Sequence, residues 1–376
     1  MIKTFPHFVI TALILICSCI IYAQDTDSQK QPVSKKADSL YSESQPYLPR
    51  VFEYKKAKKQ KNKKNNQEPA QAVPSVAEKL SADTIITLPV SVFDTHVRFV
   101  TGFQKSDFKV FVNDKECEID AVKTKDQPLN IILLMDTSPS AYMQNTDLQN
   151  YALAVVDQLR PVDRMIVIQF SEKLKVMTEL TSDHETLVRA IEKTQIDDGT
   201  ALYDTIQAVF TKLVPTISGR TALLILTDGV DTVSKRSNYM ESLAAAEKSE
   251  VTVFPIYFDT FALQNKNMTG LMNRLPPLSG TTFGQALGSS KAEYDLGRLY
   301  LHDLVILSGG RAILAKEVAK GQKAALPKIT TELALQYYVS FRLPEPTNIG
   351  ERKQIKIRVD RPNLAVLTRG SYIAER

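Results

Sequence analysis

Four stretches in the middle of this chain are almost unbroken apolar runs rather than alternating ones: LNIILLMD (129–136), RMIVIQF (164–170), TALLILTD (221–228) and VTVFPIYF (251–258). A strand with one wet face alternates apolar and polar residues. An unbroken run is stable only where both faces are covered, as in a parallel sheet between layers of helix. LKVMTEL (174–180) and RAILA (311–315) are two further strand candidates. Helix starts lie between the runs. Thr146-x-x-Gln149 and Ser182-x-x-Glu185 have capping-box spacing, in which the two side chains satisfy orphan backbone donors. After the first, Leu148, Ala152, Val155, Val156 and Leu159 form one apolar stripe. The alternation predicts an α/β fold over 129–336, with a doubly wound, mostly parallel sheet. Residues 260–294 interrupt it as a long Gly/Ser/Asn-rich loop, of the kind that usually carries function or disorder.

The flanks read differently. TIITLPVSVFD and FKVFV lie within 84–128, with an Asn113-Asp114 turn leading back into CEIDAV. QYYVSFRL spans the boundary at 337, and KQIKIRVD and LAVLTRGSYIA lie within 337–376. Neither flank is large enough to bury a core alone. The expectation is one small β domain built from both, with the α/β domain inserted between them.

Residues 1–23 carry Lys3 as their one charge, an apolar run to Ile21, and small Ala23 before Gln24, which is the pattern of an export signal. Retention as an anchor and acylation at Cys19 are the alternatives. The protein is thus expected to be periplasmic, secreted or associated with the cell envelope. Cleavage after Ala23 leaves Cys117 alone, so neither an internal disulfide nor a zinc cluster can form. The net charge is +5, but residues 24–83 hold 12 Lys and Arg against 8 Asp and Glu. From residue 84 onward the charges balance at 34 of each sign. The basic excess belongs to a Lys-rich segment read as a disordered linker, whose block from Lys55 to Lys64 could touch anionic lipid or another polyanion. The balanced remainder, with its aromatics in apolar strands, gives no sign of specific nucleic-acid binding.

Three strand-to-helix junctions carry hard oxygen donors. Asp136-Thr137-Ser138-Pro139-Ser140 follows the first apolar run, Asp198-Gly199-Thr200 precedes a helix, and Thr227-Asp228-Gly229 ends TALLIL. Ligands of open α/β sheets bind outside the carboxyl ends of the strands, where such junctions converge. Two carboxylates with three hydroxyls suit Mg²⁺, which keeps part of its water shell, with Mn²⁺ or Ca²⁺ as alternatives.

In this order the motifs resemble the metal-ion-dependent adhesion site (MIDAS) of von Willebrand factor A domains and integrin inserted domains. GTALYD and LTDGxD also resemble bacterial secreted proteins with a domain of this kind. The resemblance implies that Asp136, Ser138, Ser140, Thr200 and Asp228 are the metal ligands. It further implies that an Asp or Glu of a partner protein completes the sphere. Pro139 inside the first motif and the 260–294 loop go beyond the bare pattern without removing a ligand. Asp197, Asp198 and Asp231 read as solvated loop carboxylates, with support of the ligands from behind as the alternative. No G-x-S-x-G, G-x-x-x-x-G-K-[ST] or G-x-G-x-x-G occurs, and His96, His184 and His302 sit in no catalytic pattern. The expected function is a non-enzymatic, metal-dependent protein-binding module. The alternatives are a metal-assisted hydrolase of the cell envelope and an envelope scaffold with a fold-stabilising metal.

Overall fold

The computed structural model describes residues 42–43, 79–96, 98–124, 128–142, 145–261, 290–315 and 329–374. The readings of 1–23 as an export signal, of the 55–64 block, and of nearly all of the 260–294 loop lie outside these residues. Among the described residues no helix is long and apolar enough to cross a membrane.

The strands are β1 (Ser42–Glu43), β2 (Lys79–Leu80), β3 (Ile85–Phe93), β4 (Phe108–Val112), β5 (Lys115–Cys117), β6 (Ile119–Thr124), β7 (Leu129–Asp136), β8 (Arg164–Phe170) and β9 (Leu174–Val176). They continue as β10 (Arg220–Thr227), β11 (Thr252–Tyr257), β12 (Ile313–Leu314), β13 (Tyr337–Arg342), β14 (Thr347–Asn348), β15 (Arg352–Val359), β16 (Ala365–Leu367) and β17 (Ser371–Ile373). The helices are α1 (Pro139–Tyr142), α2 (Asn145–Val156), α3 (His184–Glu192), α4 (Leu202–Ala208), α5 (Tyr239–Glu247), α6 (Lys291–Ser308) and α7 (Ile329–Ala334).

The apolar runs form the predicted sheet. Its order is β12-β11-β10-β7-β8-β9, parallel throughout except for β9. Every residue of β7 is buried, and alternate side chains feed two cores. Ile131, Leu133 and Met135 pack with the α2 stripe and with Leu187 and Ile191 of α3. Ile132 and Leu134 pack on the other face with Leu202 and Ile206 of α4, Leu243 of α5, and Tyr300, Leu301 and Leu304 of α6. Helices thus cover both faces of a mixed α/β, mostly parallel sheet. β7 lies between β8 and β10, so the connections that leave β7 and β10 diverge and a crevice opens at their carboxyl ends.

The two flanks pair with each other in antiparallel sheets ordered β16-β3-β13-β6 and β1-β15-β4-β5, with β17 also on β15. Val90, Val110, Val339, Phe341, Ile355 and Ile357 are wholly buried in their shared core. Asn113 and Asp114 both have positive φ, 47° and 64°, as a two-residue hairpin turn requires.

Several local readings are corrected. Order begins before residue 84, because Lys79–Leu80 pairs with Thr347–Asn348, and Ser42–Glu43 pairs with Arg358–Val359. LKVMTEL is a strand only over Leu174–Val176, and all three residues are exposed. Beyond them Thr178 Oγ1 takes the Val167 N–H at 3.0 Å, so a side chain replaces the ladder. LAVLTRGSYIA divides into β16 and β17, which pair with different partners. The α3 cap is Asp183, which accepts the Thr186 N–H at 3.2 Å, not Ser182. α2 begins at Asn145, and Gln149 Nε2 reaches Ile191 O (3.3 Å) and Thr194 Oγ1 (3.4 Å) rather than forming a cap.

Candidate metal centre

The candidate ligands stand where the crevice opens. Asp136 is the last residue of β7 and is 0 % exposed. Its Oδ1 accepts the Ser138 N–H at 3.0 Å, which folds the D-x-S-x-S loop back on the strand end. Its Oδ2 accepts from Thr227 Oγ1 at 2.6 Å, tying β7 to β10. Ser138 and Ser140 Oγ lie 3.1 Å apart, both buried. Asp228 follows β10, is 1 % exposed, and is hydrogen-bonded by the Ser140 side chain. Its Oδ1 accepts the Val230 N–H (3.1 Å) and its Oδ2 accepts from Thr260 Oγ1 (2.7 Å).

Thr200 is buried in the loop before α4. The Asp197 N–H bonds to Thr137 O (3.0 Å), and the N–H groups of Thr232 and Val233 bond to Thr200 O (2.9 and 3.2 Å). The backbone therefore holds Thr200's loop against both of the others. The hydrogen-bond chain itself links Asp136, Ser138, Ser140 and Asp228; Thr200 joins the site through its loop.

Two aspartates that ended separate strands in sequence are thus close enough to repel. Burial raises both above the usual carboxylate value, and the charge of Asp228 raises Asp136 further. No Lys, Arg or His lies within ion-pair distance of either among the described residues. A buried like-charged pair without a cation is costly, and a divalent ion relieves that cost. Among the described residues no group of three or more His, Cys, Asp or Glu could hold a metal. An ion here would therefore be held by two carboxylates and hydroxyls. That donor set fits Mg²⁺, which retains water, better than Ca²⁺, which takes 6–8 oxygens.

Three supporting roles escaped the sequence reading. Thr227 and Thr260 orient the two carboxylates, yet threonine after an apolar strand has no distinguishing spacing. Asp204, on α4, accepts the N–H groups of Lys235 (3.0 Å), Arg236 (2.9 Å) and Ser237 (2.7 Å). Burial works against its charge, but these bonds hold its carboxyl below the usual range. Asp231 is corrected from a solvated carboxylate to a partly buried clasp: it accepts the Tyr203 N–H (3.0 Å) and the Ser234 hydroxyl. Asp197 is exposed, and its Oδ1 accepts the Asp198 N–H at 2.9 Å.

The loop after Asp228 is also held from outside. Gly229 has φ +79°, and a Cβ on Gly297 of α6 would stand 2.5 Å from Gly229 O. Backbone meets backbone there, so a methyl group cannot be absorbed by a rotamer change. Gly297→Ala is expected to lower stability by about 1–3 kcal/mol and to weaken Mg²⁺ binding, read by urea unfolding and by titration calorimetry. Unchanged values of both would show that this contact does not set the loop.

Residues 130–284 match the family model of the von Willebrand factor type A domain. The sheet continues past that match to β12. No curated protein matches the chain. Among solved structures, an aerotolerance-related membrane protein from Bacteroides fragilis is 16% identical, with 55% of this chain and 96% of that one covered and a TM-score of 0.36. BatB from Bacteroides thetaiotaomicron is 17% identical with the same coverage and TM-score. The proximal thread matrix protein 1 of the mussel byssus, with a zinc-occupied MIDAS motif, is 15% identical, over 61% of this chain and 50% of that one, at a TM-score of 0.39.

Proposed function

Starting from a chain that carries a von Willebrand factor type A domain over residues 130–284, we propose that the domain is a non-enzymatic, metal-dependent protein-binding module of an exported protein. Asp136, Ser138, Ser140, Thr200 and Asp228 hold a divalent cation, for which Mg²⁺ is the best fit. The observation that carries this reading is the pair of buried carboxylates, Asp136 and Asp228, joined through the hydroxyls of Ser138 and Ser140 with no cationic side chain beside them among the described residues. The ion supplies fixed positive charge at the crevice mouth. The protein supplies direction: Thr227 and Thr260 aim the carboxylates, and the clasps at Asp204 and Asp231 hold two of the loops together. An acidic side chain of a partner gains electrostatic attraction and a set approach. Export rests on the residue pattern of 1–23.

The test is retention of a cell-envelope protein on the immobilised full chain, with Mg²⁺ and with chelator. Retention is expected in Mg²⁺ only, and is expected to be lost in Asp136→Ala while its circular dichroism is unchanged. Retention indifferent to both chelator and substitution would favour the scaffold reading, and turnover of generic phosphate or ester substrates would favour the hydrolase.

A further inference from the structure

The six-stranded sheet ends on one side at β9, and the backbone geometry of that edge is specific. Opposite pairs across β8 and β9 are Phe170 with Leu174, Gln169 with Lys175, and Ile168 with Val176. In an antiparallel ladder, pairs that exchange backbone bonds alternate with pairs that exchange none. The Ser171 N–H bonds to Lys173 O (3.1 Å), and the Met177 N–H bonds to Val167 O (2.8 Å). Counting inward from both ends, Gln169 and Lys175 form the bonded pair. The N–H and C=O groups of Leu174 and Val176 therefore point outward along an edge that no further strand pairs with among the described residues.

Side chains and charges give that edge a character. Leu174 and Val176 are 38% and 48% exposed, and they extend the sheet face on which Phe170 and Ile168 are buried. Lys173, Lys175 and Arg236 are exposed, with no carboxylate within ion-pair distance among the described residues, while Lys235 faces Glu172 at 3.7 Å. The head of β9 is built into the candidate metal centre. The Glu172 N–H bonds to Asp198 O (2.9 Å), the Ala201 N–H to Ser171 O (2.7 Å), and the Thr137 N–H to Phe170 O (2.9 Å). The open edge thus starts at the rim of the crevice and runs away from it beside basic side chains.

We propose that the edge of β9 is the docking surface for an extended acidic segment of the partner, which adds to the sheet as a further strand paired with Leu174 and Val176. At the crevice rim the segment ends in a carboxylate that reaches the metal, a placement that rests on the function proposed above. The segment's chemistry follows from the edge: carboxylates against Lys173 and Lys175, and small apolar side chains over Leu174 and Val176. A central lysine on a short edge strand blocks pairing with a second copy, because like charges then oppose. The same lysine attracts an acidic strand, so one residue sets both exclusion and choice.

The test uses the full chain and a fluorescein-labelled peptide of alternating Glu and Val that ends in Asp, followed by fluorescence anisotropy in Mg²⁺. Binding is expected, with perturbation of the Leu174 and Val176 amide resonances. Val176→Pro removes an outward donor without touching the ladder, and should weaken binding about tenfold. The same peptide N-methylated at alternate residues should weaken similarly against the unaltered protein, which keeps the test independent of how the variant folds. A peptide with Lys in place of Glu should not bind. No binding of the acidic peptide, binding that N-methylation leaves unchanged, or self-association of the chain through β9 overturns the proposal. Binding that is sensitive to N-methylation but indifferent to chelator would keep the edge and sink the metal reading. Binding that is sensitive to chelator but indifferent to N-methylation would do the reverse.

Discussion

Asp136→Asn is expected to make the metal-free protein more stable while reducing Mg²⁺ affinity at least a hundredfold. The two effects share one cause. Asp136 is wholly buried beside Asp228, and burial and that neighbour both raise its affinity for a proton above the ordinary value of 3.8. A carboxylate with a raised value in the folded state binds its proton more tightly folded than unfolded. Its contribution to stability is therefore present at low pH and lost as pH rises from the ordinary carboxylate value through the raised one. In chelator, the wild-type protein should melt at a lower temperature at pH 7.5 than at pH 5.5, with this site contributing to the difference. Asn keeps one oxygen to accept the Ser138 N–H and turns its NH2 toward the Thr227 hydroxyl, which can rotate to accept it. With no charge buried, part of that slope should disappear, with a gain on the order of 1–3 kcal/mol at pH 7.5. Mg²⁺ should raise the melting temperature of wild type and leave the variant unmoved. A destabilised metal-free variant would mean that the two carboxylates do not repel as described.

The second large effect lies far from the site. Glu247, at the end of α5, is 1 % exposed. Its carboxylate accepts from Arg352 on β15 and from the Ser371 hydroxyl on β17, while its backbone carbonyl accepts from Arg369. These partners join the helical layer of the α/β sheet to the C-terminal strands. Glu247→Ala removes the carboxylate to which Arg352 and the buried Ser371 hydroxyl donate and is expected to cost about 1–3 kcal/mol in urea unfolding. If the two parts then melt separately, two calorimetric transitions replace one. Loss below about 1 kcal/mol would show that solvent replaces the carboxylate.

What the sequence revealed and what it hid follow from distance along the chain. β7, β8, β10 and β11 were legible because double-sided burial leaves a local mark, an apolar run with no polar alternation. Asp136, Ser138 and Ser140 were legible because one short loop fixes their spacing, and Asp228 because it closes an apolar strand. Leu174–Val176 misled: the apolar residues of LKVMTEL resemble a longer core strand, yet they lie at an exposed edge. The split of LAVLTRGSYIA was hidden as well. Its break is set by Thr368 Oγ1 bonding to Pro89 O (2.9 Å) and the Gly370 N–H to Ile306 O (3.1 Å), contacts with residues far away in sequence. Thr260 and Glu247 share that fate. One reads as a loop hydroxyl and the other as a surface helix residue until a distant partner arrives.

The proposed function stands on two buried aspartates and their neighbouring hydroxyls holding a divalent cation. Titration calorimetry of Mg²⁺ into chelator-stripped full-length protein tests it directly, with Asp136→Asn and Asp228→Asn in parallel. One site per chain is expected in wild type, with proton release on binding that grows as the pH is lowered from 7.5 toward 6, and no detectable binding in either variant. Binding of equal strength in wild type and both variants, or none in wild type, would contradict it.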